Sequence, residues 1–208
     1  MSRAIAVDWT SLERVLLRLT DADIRRFASR HSDETFYGFA FDCNSKYGEI
    51  GLCLNTNRAL RAQRKAPDPN AAFWAALDKK LNLGEKPNSP RDASTPQRRR
   101  SPNLRWSIGD WQYQGFNSKE FGQEWRRFHS RVLKRCMMEE EDEDTFMTST
   151  QARFMEAVCR VLVRLERKGA FEAFNQTRDF STLVVDHDES EADGRARLRA
   201  ERRREDSA

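Results

Sequence analysis

The chain has 208 residues, 38% hydrophobic and 34% charged, with four cysteines and a formal charge of +4. That length supports one domain with its own core, and no stretch approaches the ~18 apolar residues of a membrane span. The N-terminus lacks a basic start followed by an apolar block, and Cys43, Cys53, Cys136 and Cys159 form no CxxC pair or zinc spacing, so a reducing, cytoplasmic setting without membrane association or cofactor is expected.

Leu12, Val15, Leu16 and Leu19 recur at i, i+3, i+4 and i+7, the stripe of an amphipathic helix. Thr20 or Asp21 reads as the cap of a short second helix with Ile24 and Phe27. Thr35 to Phe41 predicts a strand, with Tyr37, Phe39 and Phe41 on one face and Gly38 and Ala40 on the other. Asp42 to Gly48 reads as a turn, and Ile50, Leu52 and Leu54 as the second strand of an antiparallel hairpin. Phe73, Trp74 and Leu77 mark a helix starting near Pro69.

Gly84 to Asn103 holds four of the six prolines and five basic residues against two acidic ones, so it reads as a disordered insertion holding most of the net charge. Trp106 and Ile108 suggest a third short strand. Asn117, with Glu120 three residues on, resembles a capping box for a helix bearing Phe121, Trp125, Phe128 and Val132. The six acids from Glu139 to Asp144 are expected in solvent. Phe154, Val158, Val161, Leu162 and Leu165 predict a long helix ended by Gly169. Ser181 to Val185 is the last strand. Residues 190–208 read as a tail, disordered or a solvated helix, since from Glu189 to Ala208 six Arg balance six acids. The sum is one α+β domain over residues 1–189, a small mainly antiparallel sheet packed by helices on one face.

Chemistry is sought first at Asp186-His187-Asp188-Glu189, where four ionisable side chains follow the apolar run Leu183-Val184-Val185. If the strand ends at Val185, a turn brings carboxylates and an imidazole together, as a divalent metal or general acid–base catalysis requires. If it continues, alternation sends Asp186 and Asp188 to one side and His187 and Glu189 to the other. An ordinary polar strand end, or a contact with a partner, accounts for the same residues. The second candidate is Gly109 to Asn117: Asp110 as a turn cap, with Trp111 and Tyr113 alternating onto one face as an aromatic anchor or as core.

Phe36 to Asp42, Gly109 to Asn117 and Leu183 to Glu189 together form the pattern FYGFAxD … GDWxYQGFN … VxDHDE. The chain thereby resembles a family of bacterial cytoplasmic domains of unknown function, from about Trp9 to Glu189 outside the Gly84 to Asn103 insertion. Such domains are similar in style to the small α+β immunity proteins of bacterial toxin systems. That implies a protein that binds and neutralises a partner, with Asp110, Trp111, Tyr113, Asp186, His187, Asp188 and Glu189 as its surface.

Two alternatives stand beside it. One is a metal-assisted hydrolase built on Asp186, His187, Asp188 and Glu189 with Asp110. The other is a weak nucleic-acid accessory acting through Arg98, Arg99 and Arg100. Nucleic acid is the less favoured partner, because the positive excess lies in a loop and not on a folded face. No GxSxG elbow, GxGxxG or Walker loop is present, so acyl transfer and nucleotide binding have no support.

Overall fold

The computed structural model describes residues 6–65, 104–139, 147–187 and 189–207. Helix α1 (Trp9–Arg30) opens on Asp8, whose carboxylate accepts the Ser11 amide at 3.0 Å and so satisfies a first-turn N–H. Leu12, Val15, Leu16 and Leu19 are buried, and Ile24, Phe27 and Ala28 extend the same stripe. No break falls at Thr20 or Asp21. Thr20 lies in the buried face, and Asp21 is held at the surface by Arg25 and Lys168. The two helices expected here are one, because the apolar stripe runs on without interruption.

β1 (Thr35–Asn44) and β2 (Glu49–Thr56) form the expected antiparallel hairpin, with strands longer than the apolar pattern suggested. The turn shrinks to Ser45–Gly48, and Gly48 has φ 69°, a conformation glycine adopts without Cβ strain. Asp42 is therefore a strand residue. The register of β1 shifts between Phe36 and Gly38 against both neighbours, and such a bulge reverses the alternation of faces. Phe36, Phe39 and Phe41 enter one core, whereas Tyr37 joins Ala40 in the other. The expected grouping of Tyr37 with Phe39 and Phe41 fails for that reason.

β3 (Asn175–Asp186) pairs with β1 in parallel, giving the strand order β2-β1-β3. A parallel return needs a crossover, and α3 (Lys119–Cys136) and α4 (Ser149–Arg167) lie within it. The fold is α+β with a mixed sheet, one pairing antiparallel and one parallel. Trp106 and Ile108 do not form a strand. They lie in two 3-10 turns, Leu104–Trp106 and Ile108–Asp110, whose side chains pack on the sheet.

Helices α1, α3 and α4 bury one face of the sheet. The second face is covered as well, by the 3-10 turns and by Leu60 of α2 (Asn57–Lys65). Leu183, Val184 and Val185 are accordingly all buried, the continuous apolar run of a strand covered on both sides.

Ser118, not Asn117, caps α3, accepting the Phe121 amide at 3.1 Å. Phe121, Trp125, Phe128 and Val132 are buried, as their spacing predicts. Thr148 and Gln151 form a capping box on α4, and Gly169, at φ 69°, follows its C-terminus.

From Ser190 the charged stretch forms α5 (Glu191–Asp206), docked along the outer edge of β3. Leu198 is buried, and a Cβ on Gly194 would lie 2.4 Å from the Val184 carbonyl oxygen. The helix thus shields an edge strand, which exposed would invite further pairing. All four cysteines are buried free thiols. No helix among the described residues is long and apolar enough to cross a membrane. The expected helix at Phe73, Trp74 and Leu77, the Gly84 to Asn103 insertion and residues 140–146 lie outside the described residues.

Candidate functional site

At the end of β3, Asp186 is engaged in tying the strand to the hairpin turn. Its carboxylate accepts the Ser45 amide at 2.9 Å, the Ser45 hydroxyl and the His187 amide at 3.0 Å. Glu189 closes the same turn: its carboxylate accepts the Asp186 amide at 3.1 Å, and its own amide donates to the Asp186 carbonyl at 3.0 Å. Arg197 of α5 then grips Glu189 in a bidentate pair, one arm at 2.9 Å. Two of the four residues are thus spent on structure, His187 is exposed, and Asp188 lies outside the described residues.

The group this turn does approach is Asp42, which sequence reasoning missed. Burial raises its pKa; the charge of His187 works against that shift and Asp186 adds to it. Among the described residues no three His, Cys, Asp or Glu side chains are grouped as a metal ion would need.

The segment from Gly109 to Asn117 is a strip along the outer edge of β2. Leu54 and Tyr113 exchange both backbone hydrogen bonds, at 2.9 and 3.1 Å, and the Phe116 amide donates to the Leu52 carbonyl at 3.0 Å. Asn117 continues the ladder with its side chain, accepting from the Leu52 amide at 2.9 Å and donating to the Ile50 carbonyl at 3.1 Å. One amide side chain stands in for the backbone of a missing strand residue.

Asp110 is exposed and accepts the Ser107 hydroxyl at 2.7 Å within its own turn. Trp111 is not a surface anchor. It is buried against Tyr37 and Trp106, with its indole N–H on the Arg105 carbonyl at 3.1 Å. Tyr113 leaves the strip on the opposite side and packs against Phe27 and His31, so the two rings do not share a face.

Tyr113 completes a cluster that no short motif marks. Its hydroxyl donates to Glu34 Oε1; His31 Nδ1 lies 3.0 Å from that same oxygen and 3.2 Å from the Tyr113 hydroxyl. Burial acts to raise the Glu34 pKa, but the hydrogen bonds from Tyr113 and His31 and the nearby Arg58 charge outweigh it and hold the carboxyl below its ordinary value. Burial, reinforced by the Glu34 carboxylate, pushes Tyr113 up to about 12, so the phenol stays protonated and a donor at neutral pH. His31 lines a cleft of 570 Å³ between the last turns of α1 and the start of α3. Three residues from two distant parts of the chain build the cluster, a juxtaposition with no periodic signature.

At the far end of α3 the hairpin turn sits on the helix. A Cβ on Gly48 would meet Val132 at 2.9 Å, Trp125 Nε1 donates to the Gly48 carbonyl at 2.9 Å, and the Cys136 thiol reaches the Ser45 carbonyl at 3.8 Å. Tyr47, at the tip of that turn, is 46% exposed, and Met137 and Met138, which follow Cys136, are 78% and 59% exposed. Glu139 does not join the solvent-facing acids expected there. It accepts the Thr150 amide and hydroxyl, both at 2.9 Å, and pairs with Arg135, placing a carboxylate at the electropositive start of α4.

The family model described as a domain of unknown function (DUF4303) matches residues 16–202. No curated protein and no solved structure matches the chain.

Proposed function

The chain belongs to this family of domains of unknown function, and from that premise we propose that it works by binding another protein and occluding it, in the manner of an immunity protein. The observation that supports this reading is the grouping of large exposed apolar side chains. Tyr47, Met137 and Met138 are the ones found among the described residues. All three emerge where the hairpin turn meets the C-terminus of α3, beside the turn that bears His187.

Exposed methionines suit a contact surface because the thioether is apolar and flexible enough to fit an irregular partner. The acids from Glu140 to Asp144 follow this segment in sequence, so the partner this end fits has an apolar centre rimmed by Lys or Arg. Asp186 and Glu189 hold the turn in shape rather than contacting the partner, Trp111 supports the sheet from its second face, and Asp110 is bonded within its own turn. A hydrolase at Asp186 finds less support, since its carboxylate already accepts three hydrogen bonds from Ser45 and His187.

The test is affinity capture from the native host with the full chain. The wild type is compared with Met137→Ser/Met138→Ser and with Arg178→Ala, an exposed control near the opposite end of β3 from Asp186. A basic protein held by wild type and control, lost from the double variant, released by salt and inhibited while bound supports the reading. Equal capture by the double variant, or a bound partner whose activity is untouched, overturns it.

A further inference from the structure

The cleft beside His31 has the chemistry of a ligand site, separate from the surface proposed above. It lies at the N-terminus of α3, whereas Tyr47 and the two methionines lie at its C-terminus. The 18 residues of α3 set the two about 27 Å apart at 1.5 Å per residue. A volume of 570 Å³ falls in the range that holds small molecules.

Three cations, Arg26, Arg30 and Lys119, line the cleft with two acids, Asp23 and Glu120. Arg26 serves both acids, its Nη1 lying 3.1 Å from each. Asp23 also accepts the Ser118 amide at 2.8 Å. Arg30 and Lys119 have no carboxylate partner among the described residues. The uncompensated charge of the cleft is therefore positive, and an anion entering it would meet two cations already freed of competition.

The imidazole adds a directed polar group. The Tyr113 hydroxyl points its O–H at Glu34, so both atoms facing His31 Nδ1 act as acceptors and Nδ1 is the nitrogen that bears hydrogen. The ring itself lines the cleft. The ring is held in place by stacking on Phe27, with centroids 4.1 Å apart, and by the edge of Tyr113 at 4.8 Å. Phe116, 4.5 Å from Phe27, completes an apolar wall.

We propose that this cleft binds the oxyanion group, phosphate or carboxylate, of a small molecule. Arg30 and Lys119 supply the charge and the hydrogen bonds to the anion, the His31 ring forms the polar wall beside them, and Phe27 and Phe116 carry the rest of the ligand. Glu34 and Tyr113 act as positioning residues, holding the imidazole in one orientation.

The chain contains three histidines, so their carbon-bound ring protons can be followed separately in the full-length protein. Inorganic phosphate, adenosine monophosphate and succinate are titrated at constant ionic strength, with wild type and Arg30→Ala/Lys119→Ala compared. A saturable shift confined to His31, weakened about tenfold or more in the variant as expected for lost charge-assisted contacts, supports the proposal. Phosphate and succinate distinguish the two kinds of head group, and tighter binding of the nucleotide than of phosphate assigns a role to the phenylalanine wall. His129, ten residues beyond Lys119 on α3, reports that the variant is folded. No saturable shift of His31 with any of the three probes, or equal affinity in the variant, overturns it.

Discussion

Tyr113 donates its hydroxyl proton to Glu34 across 79 residues of chain, tying the strip on β2 to the loop between α1 and β1. The bond draws together three things that look unrelated in sequence: the end of α1, the start of β1 and the cover of the sheet edge. Removing the hydroxyl leaves a mostly buried carboxylate short of a donor, so Tyr113→Phe is expected to cost about 1–3 kcal/mol. Urea unfolding at pH 7 measures it. Folding holds the Glu34 carboxyl below its ordinary value, so its contribution is complete above the ordinary carboxylate range and is lost as pH falls through the lowered folded value. The gap between wild type and variant should narrow with that fall.

Glu139 offers a second linkage with a stated window. Burial acts to raise its pKa, but the Thr150 amide and hydroxyl, Arg135 and Ser149 overcome it and hold the carboxyl at about 2, against an ordinary 4.5. The folded protein keeps Glu139 ionised where the unfolded chain would protonate it. Its stabilisation, about 3 kcal/mol at neutral pH, is therefore full above about pH 4.5 and is lost as pH falls toward 2. Glu139→Gln should be destabilised by about 1–3 kcal/mol at pH 7 and match wild type near the acid limit. A penalty independent of pH would show that charge is not the cause.

Asn117 serves β2 by accepting one hydrogen bond and donating another. Asn117→Ala leaves the Leu52 amide and the Ile50 carbonyl without their partner and should cost about 2 kcal/mol. Asn117→Asp keeps the acceptor but sets a carboxylate against the Ile50 carbonyl, so it should rescue little. Faster amide exchange at Leu52 in Asn117→Ala than in Asn117→Asp, with Leu54 less affected in both, is the expected pattern.

Gly194 lies against the backbone of β3, and a methyl group there would sit 2.4 Å from the Val184 carbonyl oxygen. Backbone cannot yield as a side-chain tip does, so Gly194→Ala should push α5 off the strand and cost more than about 2 kcal/mol. Increased exchange through α5 with the hairpin unchanged would locate the damage. If the alanine variant is as stable as wild type, the contact is looser than this geometry requires.

Periodicity determined much of the fold. The stripes of α1, α3 and α4, the hairpin, the closing glycine of α4 and the α+β class follow from where Leu12, Phe121, Phe154 and Gly169 fall, because local spacing sets which face can be buried. Contacts between distant segments decided the rest. A bulge between Phe36 and Gly38 reversed the faces of β1, and the crossover made β3 parallel. The Trp106–Trp111 layer turned an expected strand and an expected surface anchor into the second core. Asp186 and Glu189 were visible as a cluster, but only folding shows them held by Ser45 and Arg197. The His31–Glu34–Tyr113 cluster and its cleft had no sequence signature at all: a hydrogen-bonded triad depends on distances in space, and residues 79 apart along the chain carry no local pattern that records them.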